Sequence, residues 1–268
     1  MKLPIIDLEN KKIGEKQMPK QFEEEVRPDL VHRAVITVQK NKRQPYGAAP
    51  TAGKRHQAKL SRRRRDYKTS YGIGISRVPR KIMSRRGTRM NWVGAVAPGT
   101  VGGRQAHPPK ATKNLVKKIN LKEKRKAIRS ALHATLIKEY VQERGHKIPQ
   151  HYPFVLDTSV EQISKTKDVE LVLRQLGLAE ELERSSVKKI RSGKGKLRAR
   201  KYRRKTGPLL VVSKDCSLIR AAGSLPGIDV VTVNNLNAEL LAPGTKIGRL
   251  TLFTEAALTR LDKEKLFA

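Results

Sequence analysis

The sequence has few acidic residues, few aromatics and one cysteine. Its 268 residues include 24 Asp and Glu against 59 Lys and Arg, which gives a formal net charge of +35. A small soluble domain usually carries a net charge of roughly 2–8, so this chain is expected to bind a polyanion, and nucleic acid is the natural candidate. The lone Cys216 excludes an internal disulfide and a cysteine-based zinc cluster, and it fits a reducing compartment.

Long apolar runs are also missing. No stretch approaches the roughly 18 apolar residues of a membrane-spanning helix, so no membrane partner is expected. The N-terminal segment 1–9 breaks its apolar run with acids after a few residues, which argues against a signal peptide. We therefore expect a soluble protein of the cytoplasm.

The positive charge is concentrated in two segments. Residues 40–113 hold 20 Lys and Arg and a single acid, Asp66, and residues 188–205 hold 11 Lys and Arg and no acid. The rest of the chain has a net charge of only +5 and is long enough for one hydrophobic core. The sequence predicts a globular body formed by residues 1–40 and 114–268. Residues 41–113 are expected to form an inserted arm, and residues 188–205 a basic loop within the body.

The apolar pattern of the body predicts an α/β fold. Helical periodicity marks residues 28–40, 120–144, 167–176 and 217–222. Short apolar runs typical of buried strands occupy residues 154–156, 209–212, 229–233 and 250–253. Asn120 and Glu123 are expected to form a capping box, Gly177 to end the third helix, and Thr254 to cap a last helix. Strands alternating with helices favour a mostly parallel sheet covered on both faces.

The predicted arm has a different composition. Residues 41–113 contain nine Gly and six Pro and show almost no apolar periodicity, so they are expected to lack regular structure. Arginine and lysine repel one another there, and we expect the segment to fold only when phosphates neutralise it. If it runs out and back, each limb has about 37 residues and reaches at most on the order of 120 Å.

RNA is favoured over DNA as the polyanion. Arginine grips phosphate bidentately, and the arm interleaves its arginines with Tyr46, Tyr67, Tyr71 and Trp92, which suits stacking on unpaired bases. The candidate RNA-binding residues of the arm are Arg43, Lys54, Arg55, His56, Lys59, Arg62, Arg63, Arg64, Arg65, Lys68, Tyr71, Arg77, Arg80, Lys81, Arg85, Arg86, Arg89, Trp92, Arg104 and His107. Those of the basic loop are Lys188, Lys189, Arg191, Lys194, Lys196, Arg198, Arg200, Arg203 and Arg204. The basic face of helix 120–144 is either solvated or turned toward phosphates.

The motifs that would indicate catalysis are incomplete. In residues 47–55 five residues separate the glycines instead of four, and Arg55 stands where a P-loop needs Ser or Thr. The six histidines form no zinc-binding pair with a glutamate between them. The acids Asp157, Asp168, Asp215 and Asp229 are expected to be helix caps and surface charge. The sequence predicts no catalytic residue, no metal and no cofactor.

Three motifs in order resemble one family. Residues 71–80 (Tyr-Gly-Ile-Gly-Ile-Ser-Arg-Val-Pro-Arg) resemble the Gly-x-Gly and Arg-x-Pro-Arg stretch of the universal large-subunit ribosomal protein four family, in its archaeal and eukaryotic form. Residues 101–109 resemble its Gly-Gly-Arg segment at the end of the arm. Residues 241–244, 248–249 and 254–255 resemble its C-terminal signature. Because the long basic C-terminal extension of eukaryotic members is missing, the resemblance favours the archaeal type.

The resemblance implies a fold and a role. The family has a Rossmann-like body, binds large-subunit rRNA early in assembly, contacts neighbouring ribosomal proteins and is not an enzyme. Its extended loop enters the rRNA core, and the tip helps line the nascent-peptide exit tunnel. The tip candidates carried over by motif are Gly72, Gly74, Arg77, Pro79 and Arg80, extending to Arg89. Residues 85–98 depart from the Gly-rich pattern of eukaryotic members, so the tunnel-facing residues stay unassigned.

Two other classes of function stay open on the residues alone. A nucleic-acid-modifying enzyme or nucleotide-dependent RNA factor on the same α/β body would need a convergent polar site. A DNA-compacting architectural protein would bind duplex DNA as tightly as folded rRNA.

Overall fold

The chain divides into two units. The computed structural model describes residues 1–58, 60–65, 70–72, 74–86 and 89–268, with the side chains of Arg85 and Met90 left aside. Unit 1 comprises Met1–Lys42 and Val116–Ala268, and unit 2 comprises Arg43–Leu115. The function of unit 2 as an RNA-penetrating arm stays a prediction.

Within the described residues the chain forms ten strands and eight α-helices. The strands are β1 (Lys2–Ile6), β2 (Lys12–Gln17), β3 (Arg80–Arg86), β4 (Arg89–Gly94), β5 (Val155–Leu156), β6 (Lys189–Ile190), β7 (Tyr202–Arg203), β8 (Leu209–Val212), β9 (Asp229–Thr232) and β10 (Thr251–Thr254). The helices are α1 (Pro28–Asn41), α2 (Leu121–Leu136), α3 (Lys138–Glu143), α4 (Thr166–Leu173), α5 (Ala179–Ser186), α6 (Ser217–Gly223), α7 (Ala238–Leu241) and α8 (Glu255–Lys263). Within the described ranges, no helix combines the length and the apolar character needed to cross a membrane.

Unit 1 is built on a six-stranded sheet in the order β2-β1-β5-β10-β8-β9. Only β2 runs antiparallel to its neighbour, and the other pairings are parallel. Successive residues of a strand point to opposite faces. Leu209 and Val211 therefore belong to one hydrophobic cluster, and Leu210 and Val212 belong to the other. The predicted α/β class with a mostly parallel sheet covered on both faces is confirmed; its finer description as Rossmann-like stays a prediction.

Each face of the sheet is covered by its own set of helices. Helices α1, α2, α7 and α8 contribute to the first cluster, and α3, α4, α5 and α6 contribute to the second. Because both sides of the sheet are covered, the central strands β5, β8 and β10 are buried along their whole length, and all four residues of β8 are apolar. This double coverage explains why short continuous apolar runs could be assigned as strands from sequence.

The prediction of one long helix over residues 120–144 is wrong, because the structure has two helices there. The chain breaks at Ile137, whose backbone is extended, so that α2 ends and α3 begins. The break has a packing reason: Ile128 and Leu132 of α2 lie in the first cluster, whereas Val141 of α3 lies in the second. One straight helix could not reach both faces of the sheet.

The capping box expected at the start of this helix is also absent. The Asn120 side chain makes no capping hydrogen bond. Glu123 instead accepts a hydrogen bond from Arg33 of α1 at 3.3 Å, so its carboxylate is directed to a neighbouring helix rather than to the Asn120 backbone. By contrast the predicted cap of the last helix is confirmed, because Thr254 Oγ1 accepts from Ala257 N at 3.2 Å.

Two further elements differ from the sequence prediction. Strands β1 and β2 were not predicted, although Leu3 and Ile5 pack in one cluster and Ile6 in the other. Gly177 was expected to end a helix, and its φ of +79° does interrupt the helical conformation. Helix α5 nevertheless follows directly from Ala179.

Unit 2 has more regular structure than its composition suggests. The expectation that residues 41–113 lack secondary structure is wrong for residues 80–86 and 89–94, where β3 and β4 pair in an antiparallel register that sets Ile82 opposite Trp92. The outgoing and returning limbs also lie side by side, because Ala48 N donates to Pro109 O at 2.9 Å. At Gly53, with φ +76°, an added Cβ would lie 2.4 Å from Arg104 Cα, so only glycine allows this approach.

The insertion is closed at its base by one side chain of unit 1. Asn41 Nδ2 donates to Lys117 O at 3.2 Å, and Lys117 N donates to Asn41 Oδ1 at 2.9 Å. We predict that replacing residues 44–114 with a short Gly–Ser linker leaves unit 1 folded. Its unfolding free energy should stay equal or rise by up to about 2 kcal/mol, because a shorter loop costs less closure entropy.

Urea unfolding followed by circular dichroism tests this prediction. As a comparison, the same excision with Asn41→Ala should be less stable by about 1 kcal/mol, the usual contribution of such hydrogen bonds. An excised protein without a cooperative transition would show that unit 1 depends on the insertion.

Candidate nucleic-acid interface

The described cations of unit 2 are exposed or half-buried, and none of them pairs with a described carboxylate. The predicted RNA-binding residues with exposed side chains are Arg43, Lys54, Arg55, Arg62, Arg63, Arg64, Arg65, Arg77, Arg86, Arg89 and His107. Those that are half-buried are His56, Tyr71, Arg80, Lys81, Trp92 and Arg104. Asp66, the single acid in the sequence of this unit, lies outside the described residues, and no described cation of the unit forms an ion pair with a described carboxylate. Their charge is therefore available to an external anion.

A few predicted residues cannot be placed. Lys59 and Lys68 lie outside the described residues, as does the aromatic Tyr67, and the Arg85 side chain is not described. Their RNA-binding role stays a prediction.

The described aromatics of unit 2 are each stacked against an arginine of the same unit. The guanidinium carbon lies 5.9 Å from the Tyr46 ring centre for Arg43, 4.5 Å from Tyr71 for Arg77, and 5.1 Å from Trp92 for Arg80. A cation held over an aromatic ring gains roughly 0.5–2 kcal/mol. The interleaving of arginine with aromatics, which suggested stacking on bases, thus also orders the arginines themselves.

The tip candidates lie just before and within the strand pair. Gly72, Gly74 and Arg77 are exposed, and Arg89 is exposed on β4. Arg80 is turned inward: its Nη1 donates to Ser76 O at 2.7 Å and to Val78 O at 3.1 Å. Pro79 O accepts from Ala95 N at 2.8 Å, which joins this segment to the chain following β4.

The two limbs bring like charges together. His56 Nε2 lies 3.0 Å from Gly102 O, and the Gly53 backbone approaches Arg104, so the segment that carries Lys54 and Arg55 lies beside the segment that carries Arg104. Coulomb repulsion between them is reduced only by screening or by anions placed among them. This arrangement suits a segment embedded in a polyanion.

The predicted basic loop of unit 1 forms a small ribbon. Strands β6 and β7 pair with Lys189 opposite Arg203, which the sequence analysis did not anticipate. The predicted RNA-binding residues on it are all exposed: Lys188, Lys189, Arg191, Lys194, Lys196, Arg198, Arg200, Arg203 and Arg204. Lys188 Nζ lies 4.1 Å from the ring centre of Tyr202, and Lys201 Nζ lies 5.5 Å from it.

The basic face of α2 is partly neutralised within unit 1. Arg129 Nη2 lies 2.9 Å from a carboxylate oxygen of Glu24, and Lys126 Nζ lies 3.4 Å from the other. Arg125 donates to Ala268 O at 2.9 Å. Of the two interpretations of this face, the structure gives less support to a phosphate-facing one, because several of its cations already have acceptors.

The crevice where α/β sheets bind nucleotides holds a carboxylate. Ligands of such sheets lie beyond the carboxyl ends of the strands. There Glu161 accepts hydrogen bonds from Ser213 N at 2.9 Å, Ser213 Oγ at 2.7 Å and Thr254 Oγ1 at 2.6 Å. A carboxylate repels phosphate, so this position disfavours the alternative of a nucleotide-dependent factor.

Two of the four acids considered for catalysis, Asp157 and Asp229, make contacts that stabilise the fold. Asp157 accepts from Ser159 N at 3.1 Å, and Asp229 pairs with the buried Arg249 at 2.5 Å. Among the described residues no cluster of His, Cys, Asp and Glu could hold a metal ion.

A buried ionic network in unit 1 was missed by the sequence analysis. Glu181, fully buried, accepts from Arg184 Nη2 at 2.5 Å, from His146 Nδ1 at 2.7 Å and from Lys147 N at 2.9 Å. Arg184 also donates to Thr206 O at 2.7 Å. Its members come from separate parts of the sequence. The one sequence signal was Glu181 itself, an acid at a position of α5 that faces the protein interior.

The network shifts the protonation of its members. Burial tends to raise the pKa of Glu181, but the hydrogen bonds from Arg184, His146 and Lys147 N outweigh it, so that pKa is lowered. Burial lowers the pKa of His146, against the opposing influence of Glu181. The network therefore contains an ionised Glu181 and a neutral His146 whose Nδ1–H donates to it.

Comparison with known proteins gives consistent matches. A family model described as the ribosomal protein L4/L1 family matches residues 16–264. The large ribosomal subunit protein uL4 of Nanoarchaeum equitans is 48% identical over 268 residues, which cover 100% of both chains. The uL4 proteins of Methanococcoides burtonii and Archaeoglobus fulgidus are 43% and 41% identical, covering 96% and 98% of this chain and 96% and 99% of their own.

The buried network generates a prediction about stability. At neutral pH, Glu181→Gln should lower the unfolding free energy of unit 1 by roughly 3–5 kcal/mol, because it leaves Arg184 without its countercharge in a buried site. Glu183→Gln, an exposed position on the same helix, is the matched control and should change stability little. Urea unfolding at pH 7 measures both, and equal stabilities would contradict the role assigned to Glu181.

The same network fixes the sign of a pH dependence. Both pKa values are lower in the folded state, so the unfolded state binds more protons and stability falls as pH decreases. The contribution of His146 is lost below its ordinary pKa of about 6.5, and that of Glu181 below about 4.5.

Proposed function

The chain belongs to the ribosomal protein L4/L1 family, and we propose that it is a structural component of the archaeal large ribosomal subunit that binds rRNA through unit 2 and the β6–β7 ribbon. The resemblance noted in the sequence motifs is confirmed at the level of the family and of its archaeal members. The observation that carries the proposal is the surface of unit 2, whose described cations have no carboxylate partners.

The mechanism follows from charge and geometry. Phosphates placed among the limbs of unit 2 neutralise cations that otherwise repel one another, so binding and ordering of the segment are coupled. In return the cations reduce the repulsion between RNA backbones packed around them. Guanidiniums already held over Tyr71 and Trp92 lose little rotamer freedom on binding.

The tip of unit 2 is proposed to help line the nascent-peptide exit tunnel. Gly72, Gly74 and Arg77 are exposed, and Arg80 holds the preceding turn through Ser76 O and Val78 O. Pro79 and Arg89 complete the candidate set. The nascent peptide is then a transient partner, while rRNA and neighbouring ribosomal proteins of the cytoplasmic large subunit are the permanent ones.

The role is one of assembly rather than catalysis. We propose that the protein binds rRNA early, because its unpaired cations favour association with the naked backbone before the RNA is compact. The carboxylate of Glu161 in the sheet crevice argues against a nucleotide-dependent activity there, because it would repel phosphate. A DNA-compacting protein is the competing function, and equal affinity for duplex DNA and folded rRNA at physiological salt would favour it.

The electrostatic mechanism predicts a steep salt dependence. In filter binding to large-subunit rRNA, the logarithm of the affinity should fall with the logarithm of salt concentration by about 0.7–0.9 per phosphate contact. Changing the four exposed residues Arg62–Arg65 to Ala should reduce the slope by roughly 3. The control changes four exposed lysines of unit 1, Lys165, Lys167, Lys214 and Lys263, and should leave the slope nearly unchanged. A wild-type slope near zero would refute the mechanism.

The tip assignment predicts contact with the growing chain. A photoreactive amino acid at position 77 in purified ribosomes should crosslink to a stalled nascent peptide, because Arg77 is exposed at the proposed tip. The same group at position 54, on an outgoing limb, should crosslink to rRNA instead. Crosslinking of the peptide from position 54 but not from position 77 would contradict the assignment of the tip to the segment around Arg77.

A further inference from the structure

Unit 1 contains a cleft lined by cations from distant parts of the chain. Its volume is about 720 Å³, and its basic residues are Arg144, Arg184, Lys189, Lys246 and the run Arg203–Lys205. No acidic side chain of the described residues lines it. Of these cations only Arg184 has a carboxylate partner, the buried Glu181, within the part of the chain that the structure describes.

Hydrogen bonds to Glu181 and to the Thr206 carbonyl fix the position of Arg184. Its Nε and Nη2 donate to the two oxygens of Glu181 at 2.7 and 2.5 Å, and Nη2 also donates to Thr206 O at 2.7 Å. Among the described atoms no acceptor engages Nη1. The side chain is 13% exposed, so its remaining donors face the cleft from a rigid position.

Arg144 is fixed by the loop that carries the C-terminal signature. Its Nη2 donates to Pro243 O at 2.6 Å, and its Nη1 donates to Lys246 O. At Gly248, with φ +82°, an added Cβ would lie 2.5 Å from Tyr140 O, so glycine lets this loop pack on α3 and place its carbonyls beside Arg144. The signature thus orients a cation of the cleft.

The charge in the cleft is unbalanced. Arg144 is held by carbonyls alone, and burial together with the positive charges of Arg249 and Arg184 lowers the pKa of Arg144 to about 10. A partly buried guanidinium without a countercharge is unfavourable unless an anion completes the site. Two oriented guanidiniums match the oxygens of a phosphate group, which they can bind bidentately.

We propose that this cleft is a specific binding site for the phosphate backbone of RNA, with Arg144 and Arg184 as fixed donors and Lys205 and Lys246 as flanking charges. The inference rests on the proposed function and deepens it, because none of these four residues was among those predicted from the sequence to bind RNA. A polymer is favoured over a free anion because Lys189 and Arg203 line the cleft and also lie on the β6–β7 ribbon. One strand of backbone can therefore follow the ribbon into the cleft.

Chemical footprinting tests the site without altering the fold. The full-length protein, free and bound to transcribed large-subunit rRNA, is acetylated with an amine-reactive reagent and analysed by mass spectrometry. Lys205 and Lys246, both exposed in unit 1, should react several-fold more slowly in the complex. Lys165 and Lys167, exposed at the start of α4, should react equally in both states.

A charge-matched pair of variants gives an independent measurement. Lys205→Ala with Lys246→Ala should lower the salt slope of rRNA binding by roughly 1.5, since two phosphate contacts are lost. Lys165→Ala with Lys167→Ala removes the same charge and should leave the slope unchanged. Equal slopes for the two variants, with wild-type protein binding rRNA normally, would overturn the cleft assignment alone.

Two other outcomes are equally decisive. Failure of the wild-type protein to bind rRNA would reject the proposed function itself. Protection of Lys205 and Lys246 only in complete large subunits, and not in the rRNA complex, would assign the cleft to a neighbouring protein and overturn the inference.

Discussion

Self-repulsion among cations is the constraint on which this structure depends. The described cations of unit 2 and of the β6–β7 ribbon are exposed or half-buried, and none of them forms an ion pair with a described carboxylate. A chain with this net charge is stable in a compact arrangement only if anions from outside take the place of the missing acids. The aromatic rings of Tyr71 and Trp92 hold arginines in place without neutralising their charge. The guanidiniums are therefore already oriented when an external anion binds.

The interior of unit 1 deals with charge in a different way. Arg249 is almost fully buried, yet it donates to Gly207 O and Leu240 O at 3.0 Å and pairs with Asp229. Arg184 is held by Glu181 in the same manner. Buried guanidiniums with carboxylate partners fix the fold, whereas Arg144, with carbonyl partners only, stays electrostatically incomplete.

The sequence was informative where packing repeats a simple pattern. The strand 209–212 could be predicted from its continuous apolar run, and the helix cap could be predicted from the hydroxyl side chain of Thr254. The break at Ile137 and the loss of the Asn120 cap depend on which face of the sheet each helix covers, and on Arg33 reaching Glu123, which no local pattern contains.

The candidate site shows the same division. Composition identified the arm and the basic loop as regions rich in cations, since charge density is visible without a fold. The pairing of β3 with β4 and the cleft around Arg144 could not be anticipated. The cleft joins α3, α5, the ribbon and the loop after α7, and only the folded chain brings these together.

The double hydrogen bond between Asn41 and the Lys117 backbone has a consequence for how this architecture can change over time. Both ends of the insertion are anchored by atoms that belong to unit 1, so residues can be gained or lost between them without altering the sheet or its helices. The body can then remain constant while the inserted segment is reshaped to match changes in the RNA around it.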